Sequence, residues 1–194
     1  MHSEKLNAND NNSASLIRNS GHEEKAEAHG FFTVKCFDKD GKLKWEDTIN
    51  NVVATVGKNA ALDAYLAGSA YTVTGPFMGL ISSTSFTAVA AADTMSSHGG
   101  WLEAGLANAP TYTAPRKTAA WSAASSGSKA LSSALSFAIT GTGTVKGCFL
   151  VFGSGAVSTI DNTSGVLYSA GLFTGGDKAV VSTDTLNVSY TASL

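Results

Sequence analysis

After Gly75 the chain never sustains a helical period. It breaks into short apolar or alternating runs: Phe77-Met78-Gly79-Leu80-Ile81, Lys117 to Trp121, Ala134 to Thr140, Val145 to Phe152, Gly165 to Phe173 and Thr185 to Thr191. Turn clusters separate them, namely Thr140-Gly141-Thr142-Gly143, Gly153-Ser154-Gly155 and Thr174-Gly175-Gly176-Asp177. An amphipathic helix needs an unbroken 3.6-residue period, and glycine at this density interrupts one before it can close. Eight or nine short strands at such spacing predict an all-β fold, a β-sandwich or jelly roll.

Upstream, Phe31 to Phe37 alternates with Phe32, Val34 and Cys36 on one side, and Lys42 to Glu46 alternates with Leu43 and Trp45 on one side. Asp40-Gly41 lies between them, which predicts a hairpin joining strands near 31–38 and 42–49. Asp38, Asp40 and Gly41 also suggest a calcium loop, but its twelfth position holds Ile49 where a bidentate glutamate is needed. One helix is expected over Asn59 to Ala67, capped by Thr55 or Asn59 and stopped by Gly68. The stretch from Ser82 to Gly100 has little strand character and is expected to be a loop packed over the sheet. Residues 1–29 are polar and read as a disordered arm, so the expected division is an arm at 1–29 and a sandwich domain at 30–194. Leu16, Ile17 and Arg18 are the candidate contact residues of that arm.

The charge is unevenly placed. The first 63 residues hold 8 of the 13 Lys/Arg and 10 of the 15 Asp/Glu, which leaves five basic and five acidic groups for the remaining 131 residues. A surface that stays unassociated carries about 25–35% charged residues. The C-terminal two-thirds is written instead in Ala, Ser, Thr and Gly, which suits packing against other protein. A net charge of −2 argues against nucleic-acid binding through a basic surface. No run approaches the ~18–20 apolar residues of a membrane span. The polar start Met1-His2-Ser3-Glu4-Lys5 leads into no apolar stretch, so no secretory signal is expected. Cys36 and Cys148 form no motif and fit a reduced intracellular origin.

Chemistry is sparse. Asp93, His98 and Glu103, spaced five apart, are the best local set of ionisable residues, but Gly99-Gly100 supplies no scaffold for converging metal ligands. No Gly-x-Ser-x-Gly elbow holds a serine nucleophile. Glu46 and Asp47 are strand neighbours and face opposite sides, so they are not the opposed pair of a glycosidase. Trp45, Trp101 and Trp121 sit in apolar strand context, where core packing outranks a sugar platform. The expectation is a non-enzymatic protein with no cofactor and no metal.

One series of segments is more specific than any catalytic motif. Lys44-Trp45-Glu46-Asp47-Thr48-Ile49-Asn50-Asn51-Val52-Val53 runs into Gly57-Lys58-Asn59-Ala60-Ala61-Leu62-Asp63. Phe77-Met78-Gly79-Leu80-Ile81, Ala91 to Trp101 and Pro115-Arg116 follow. Over residues 31–194 this order resembles a family of tailed-bacteriophage virion structural proteins. The resemblance implies a capsid decoration (cement) protein on the outside of a virion, with the major capsid protein and further copies of itself, as a trimer or dimer, for partners. It brings no catalytic residues. A tail, neck or fibre component and a carbohydrate-binding or hydrolytic β-sandwich are the competing readings.

Overall fold

The computed structural model describes residues 28–66 and 74–193. The fold is all-β: eleven strands form one antiparallel sheet, accompanied by a single helix among the described residues. The first hairpin sits where the alternation placed it. Strands β1 (His29–Phe37) and β2 (Leu43–Val53) pair through Phe32 opposite Ile49 and Val34 opposite Asp47. Their turn is organised by Asp38, whose Oδ1 accepts the N–H groups of Asp40 and Lys42, both at 2.9 Å. Gly41 has a φ of 78°, a left-handed conformation that costs a side chain and explains glycine there.

The other strands are β3 (Phe77–Ser82), β4 (Glu103–Ala104), β5 (Lys117–Thr118), β6 (Ser128–Ala130), β7 (Leu135–Ala138), β8 (Gly143–Phe152), β9 (Val166–Phe173), β10 (Lys178–Val180) and β11 (Thr185–Ser193). The sheet runs β4-β3-β8-β9-β2-β1-β11-β6. Three short pairs lie end to end along one long neighbour: β4 and β5 on β3, β9 and β10 on β8, and β6 and β7 on β11. The sheet's two edges are then tied together. Isolated bridges join Tyr112 to Ile139 and Trp121 to Leu131, and the Thr113 and Ser132 N–H groups donate to the Ala138 and Ala120 carbonyls, both at 2.9 Å. Edge groups that would otherwise face solvent unpaired are satisfied in this way. The single strand expected from Lys117 to Trp121 is therefore interrupted, because Trp121 has left the β3 edge to meet Leu131.

Inward side chains from both halves of the sheet form one core, including Phe32, Val34, Ile49, Met78, Leu80, Cys148, Leu150, Phe173, Leu186, Val188 and Tyr190. A second cluster lies on the outer face of β3, β8 and β9, where Ile81, Phe149, Val151, Leu167 and Ala170 meet Ala54, Met95 and Trp101. The cover comes from residues 83–102, which form the expected loop over the sheet, and from the start of helix α1 (Thr55–Leu66). This two-sided burial explains why Phe77 to Ile81 and Cys148 to Phe152 are continuous apolar runs, whereas β1 alternates.

Helix α1 begins four residues earlier than its sequence period suggests, and Thr55 is its first residue rather than its cap. The Thr55 N–H is satisfied by the Ala91 carbonyl of the covering loop at 2.9 Å, so tertiary contact replaces a side-chain cap. Packing sets the start. A Cβ on Gly57 would lie 2.6 Å from the Tyr168 carbonyl oxygen and 2.8 Å from its Cα, both backbone atoms that cannot swing aside.

Gly57→Ala separates these effects by sign. Alanine favours an isolated helix by about 1 kcal/mol over glycine. Here the collision with β9 is expected to dominate and to lower stability by about 1–3 kcal/mol in urea unfolding. A stabilised variant would mean that α1 does not press on Tyr168.

Candidate functional site

The covering loop is fastened by the residues that sequence inspection grouped as a candidate site. Asp93 Oδ2 accepts the Trp101 indole N–H at 3.0 Å and the Ala90 N–H at 2.9 Å. His98 stacks on the Trp101 ring, with centroids 4.0 Å apart and planes inclined by 23°. Its Nδ1 lies 3.0 Å from the Trp101 carbonyl, and because a carbonyl only accepts, that nitrogen carries the proton. Trp101 is fully buried and contacts Phe149 of β8 with ring centroids 5.1 Å apart. Asp93 and His98 thus hold the indole from two sides, and the indole anchors the loop to the sheet.

Glu103 goes elsewhere. It sits on β4 with 4% of its surface exposed, facing Arg116, which has 1% exposed. The pair is bidentate, with Arg116 Nε to Oε1 at 2.8 Å and Nη2 to Oε2 at 2.6 Å. The guanidinium also donates to the Val157 and Asn162 carbonyls, and Glu103 Oε2 accepts the Asp161 N–H at 2.7 Å. Arg116 lies over the Phe149 ring, 5.4 Å from its centroid. Burial raises the Glu103 carboxyl above the usual carboxylate range, while Arg116 and the Asp161 N–H act in the opposite direction. Three segments, at 103–108, 114–116 and 157–162, are pinned at this point. A cavity of about 230 Å³ lies alongside, lined by His98, Leu102, Glu103, Asn108, Asp161 and Asn162 among others.

Both Glu103 oxygens are engaged, and His98 shares the cavity with Glu103 while Asp93 does not line it. Among the described residues no three His, Cys, Asp or Glu side chains are grouped as metal ligands. Trp45 and Trp121 pack partly buried against the core, and Trp101 is in the loop rather than on a strand. Leu16, Ile17 and Arg18 lie outside the described residues. Arg116 was missed as a site residue. Its signal was present, since it is the only arginine after Arg18 and stands in an almost uncharged stretch.

All ten charged side chains after Asp63 have partners within the molecule. Besides Glu103 with Arg116, Asp184 holds Lys44 at 2.5 Å, Asp177 holds Lys146 at 2.9 Å and Lys178 holds Asp47 at 2.6 Å. Asp93 takes the indole, and Asp161 Oδ2 accepts the Ala107 N–H at 3.2 Å. Lys117 and Lys129 donate to the Thr113 and Ser122 carbonyls. Cys36 lies 3.8 Å from Asp184, and burial first, then that carboxylate, pushes its thiol up to about 12. Cys148 is raised by burial alone, so both thiols are unreactive core groups.

The chain matches no family model, no curated protein and no solved structure. No helix among the described residues is long and apolar enough to cross a membrane.

Two outcomes follow from this electrostatic wiring. Arg116→Met strands the Glu103 carboxylate and two backbone carbonyls, and is expected to cost about 3–5 kcal/mol in denaturant unfolding. Arg116→Lys should recover only part of that, because one ammonium cannot reproduce the two-pronged contact. Asp47 behaves differently. Partial burial pushes its pKa up, but Lys178, the Thr174 hydroxyl and the Thr48 and Gly175 N–H groups outweigh that and hold it below the usual range. Its stabilisation is therefore present above the unfolded value of about 3.9 and is lost as pH falls through the lower folded value. Asp47→Asn should flatten the decline of the urea midpoint below about pH 4. Parallel pH profiles for the two proteins would show that the carboxylate contributes nothing there.

Proposed function

We propose that this chain is a non-enzymatic structural protein of a tailed-bacteriophage virion, a decoration protein that binds the outside of the capsid and bridges neighbouring capsid subunits. The observation that carries the reading is the internal engagement of every charged side chain after Asp63. A partner docking on this surface dehydrates hydroxyls and methyl groups and few ions, which removes the largest penalty that burying a surface incurs. The outer face of β3, β8 and β9 is covered. Among the described residues nothing covers the outer face of β2, β1 and β11, which has Phe31, Asn50 and Thr191 in one cross-strand row and Thr33, Thr48 and Ser189 in the next. Its charges include Lys35 and Glu46, paired at 3.3 Å.

The segments that resemble phage virion proteins support the same reading. They correspond to β2, α1, β3, the Trp101 clasp and Arg116, which are parts that hold the fold and its cover together rather than parts that do chemistry. Self-association as a trimer or dimer fits the same quiet surface, since closed symmetry multiplies weak contacts on a symmetric shell.

The deciding measurement is copy number in purified particles, from band intensity against the major capsid protein. On the order of hundreds of copies is expected for decoration of an icosahedral shell. Six to a few dozen copies, as an order of magnitude for tail or neck symmetry, would move the protein to those parts. Absence from particles would overturn the reading.

A further inference from the structure

Large apolar side chains stand in water where Arg116 gathers the chain. Leu102, Leu106 and Val157 are all exposed, on or next to the segments that the Glu103–Arg116 pair holds together. Leu106, at 67%, is the most exposed large apolar side chain among the described residues. The loop that displays it is fastened on every side. The Gly105 N–H donates to the Asn108 carbonyl at 3.1 Å, the Asn108 amide to the Glu103 carbonyl at 3.0 Å, and the Ala107 N–H to Asp161 at 3.2 Å. Gly105 has a φ of 131° and lies so close to the Tyr112 ring that a Cβ would come within 2.5 Å of it. Five residues of chain are thus shaped so that one leucine points outward.

A hollow lies beside this knob. The cavity of about 230 Å³ is lined by the buried Met95 and by Leu102, Asn108, Asp161, Asn162 and Thr163, together with Glu103. Glu103 and Asn108 flank Leu106 in the chain and are wall residues, so knob and hollow share one face. A cavity of about 150 Å³ takes a benzene-sized group, so this one has room for a leucine side chain. Glu103 and Asp161 already accept hydrogen bonds from within the molecule, and an entering apolar group breaks neither set. A knob beside a hollow makes a face complementary to itself. Two copies related by a two-fold axis place each knob in the other's hollow at once, whereas a ring or filament needs knob and hollow on different faces.

We infer that the chain forms a two-fold dimer in which Leu106 of each copy seats in the Met95–Thr163 cavity of the other. This deepens the self-association part of the reading above and is independent of the capsid. It uses none of the residues of the β2, β1 and β11 face.

Sedimentation velocity of the free full-length chain tests it. Wild type is expected to be a dimer at about 100 μM. Leu106→Asp removes the knob and Thr163→Trp fills the hollow; both positions are exposed, so circular dichroism spectra should not change. Each variant alone should dimerise at least tenfold more weakly than wild type. An equimolar mixture should dimerise more tightly than either component, because the leucine kept by one variant enters the hollow kept by the other. A general loss of stability would not produce that recovery. A monomeric wild type would overturn the inference together with self-association. A dimer insensitive to both substitutions, a mixture no tighter than its components, or a trimer would leave self-association standing and overturn this contact alone.

Discussion

β3 and β8 have no face in water, and most of the molecule is arranged around that condition. Their inward side chains, Met78, Leu80, Cys148 and Leu150, join the main core, while Ile81, Phe149 and Val151 point the other way. A two-layer sheet protein ordinarily leaves its outer faces to solvent. Here the outer face must be roofed, and twenty residues of irregular chain are committed to doing so. Irregular backbone over an apolar face needs its polar groups satisfied and its path fixed. The indole of Trp101 supplies the apolar anchor, Asp93 and His98 position that indole, and Arg116 with Glu103 pins the segments on either side.

The same condition accounts for the distribution of charge. The few ionic groups in the C-terminal two-thirds are spent on fastening loops to one another, so little is left over for solvating the outside. Glu103 and Arg116 show the trade most clearly. A buried ion pair is weak evidence for stability when compared with apolar residues of equal volume. It does impose a single geometry, because two forked groups and three backbone partners must all align. Three separate segments are thereby held in one arrangement. The charges of the C-terminal two-thirds are thereby engaged within the molecule.

Much of the strand content was legible before any coordinates. The 31–49 hairpin, the apolar runs of β3 and β8 and the turn glycines announce themselves through alternation and breaker residues, which act over a few positions and survive any tertiary context. The assignment of Asp93 and His98 to loop fastening was also within reach, since glycine-rich surroundings offer no scaffold for metal or nucleophilic chemistry. The start of α1 was not, because Thr55 finds its partner in Ala91, thirty-six residues away. Nor was the break at Trp121, which exchanges one sheet edge for the other.

What the amino-acid order determined alone is therefore the class of fold, the place of the first hairpin and the scarcity of charge, all properties of local pattern or composition. Only the tertiary structure decided where the scarce charges went. Glu103 and Arg116 are thirteen residues apart in a stretch without regular period, and Lys44 and Asp184 are one hundred and forty apart. Neither spacing implies contact. The folded chain brings each pair together because a lone charge in so apolar a surrounding is too costly to leave without its partner.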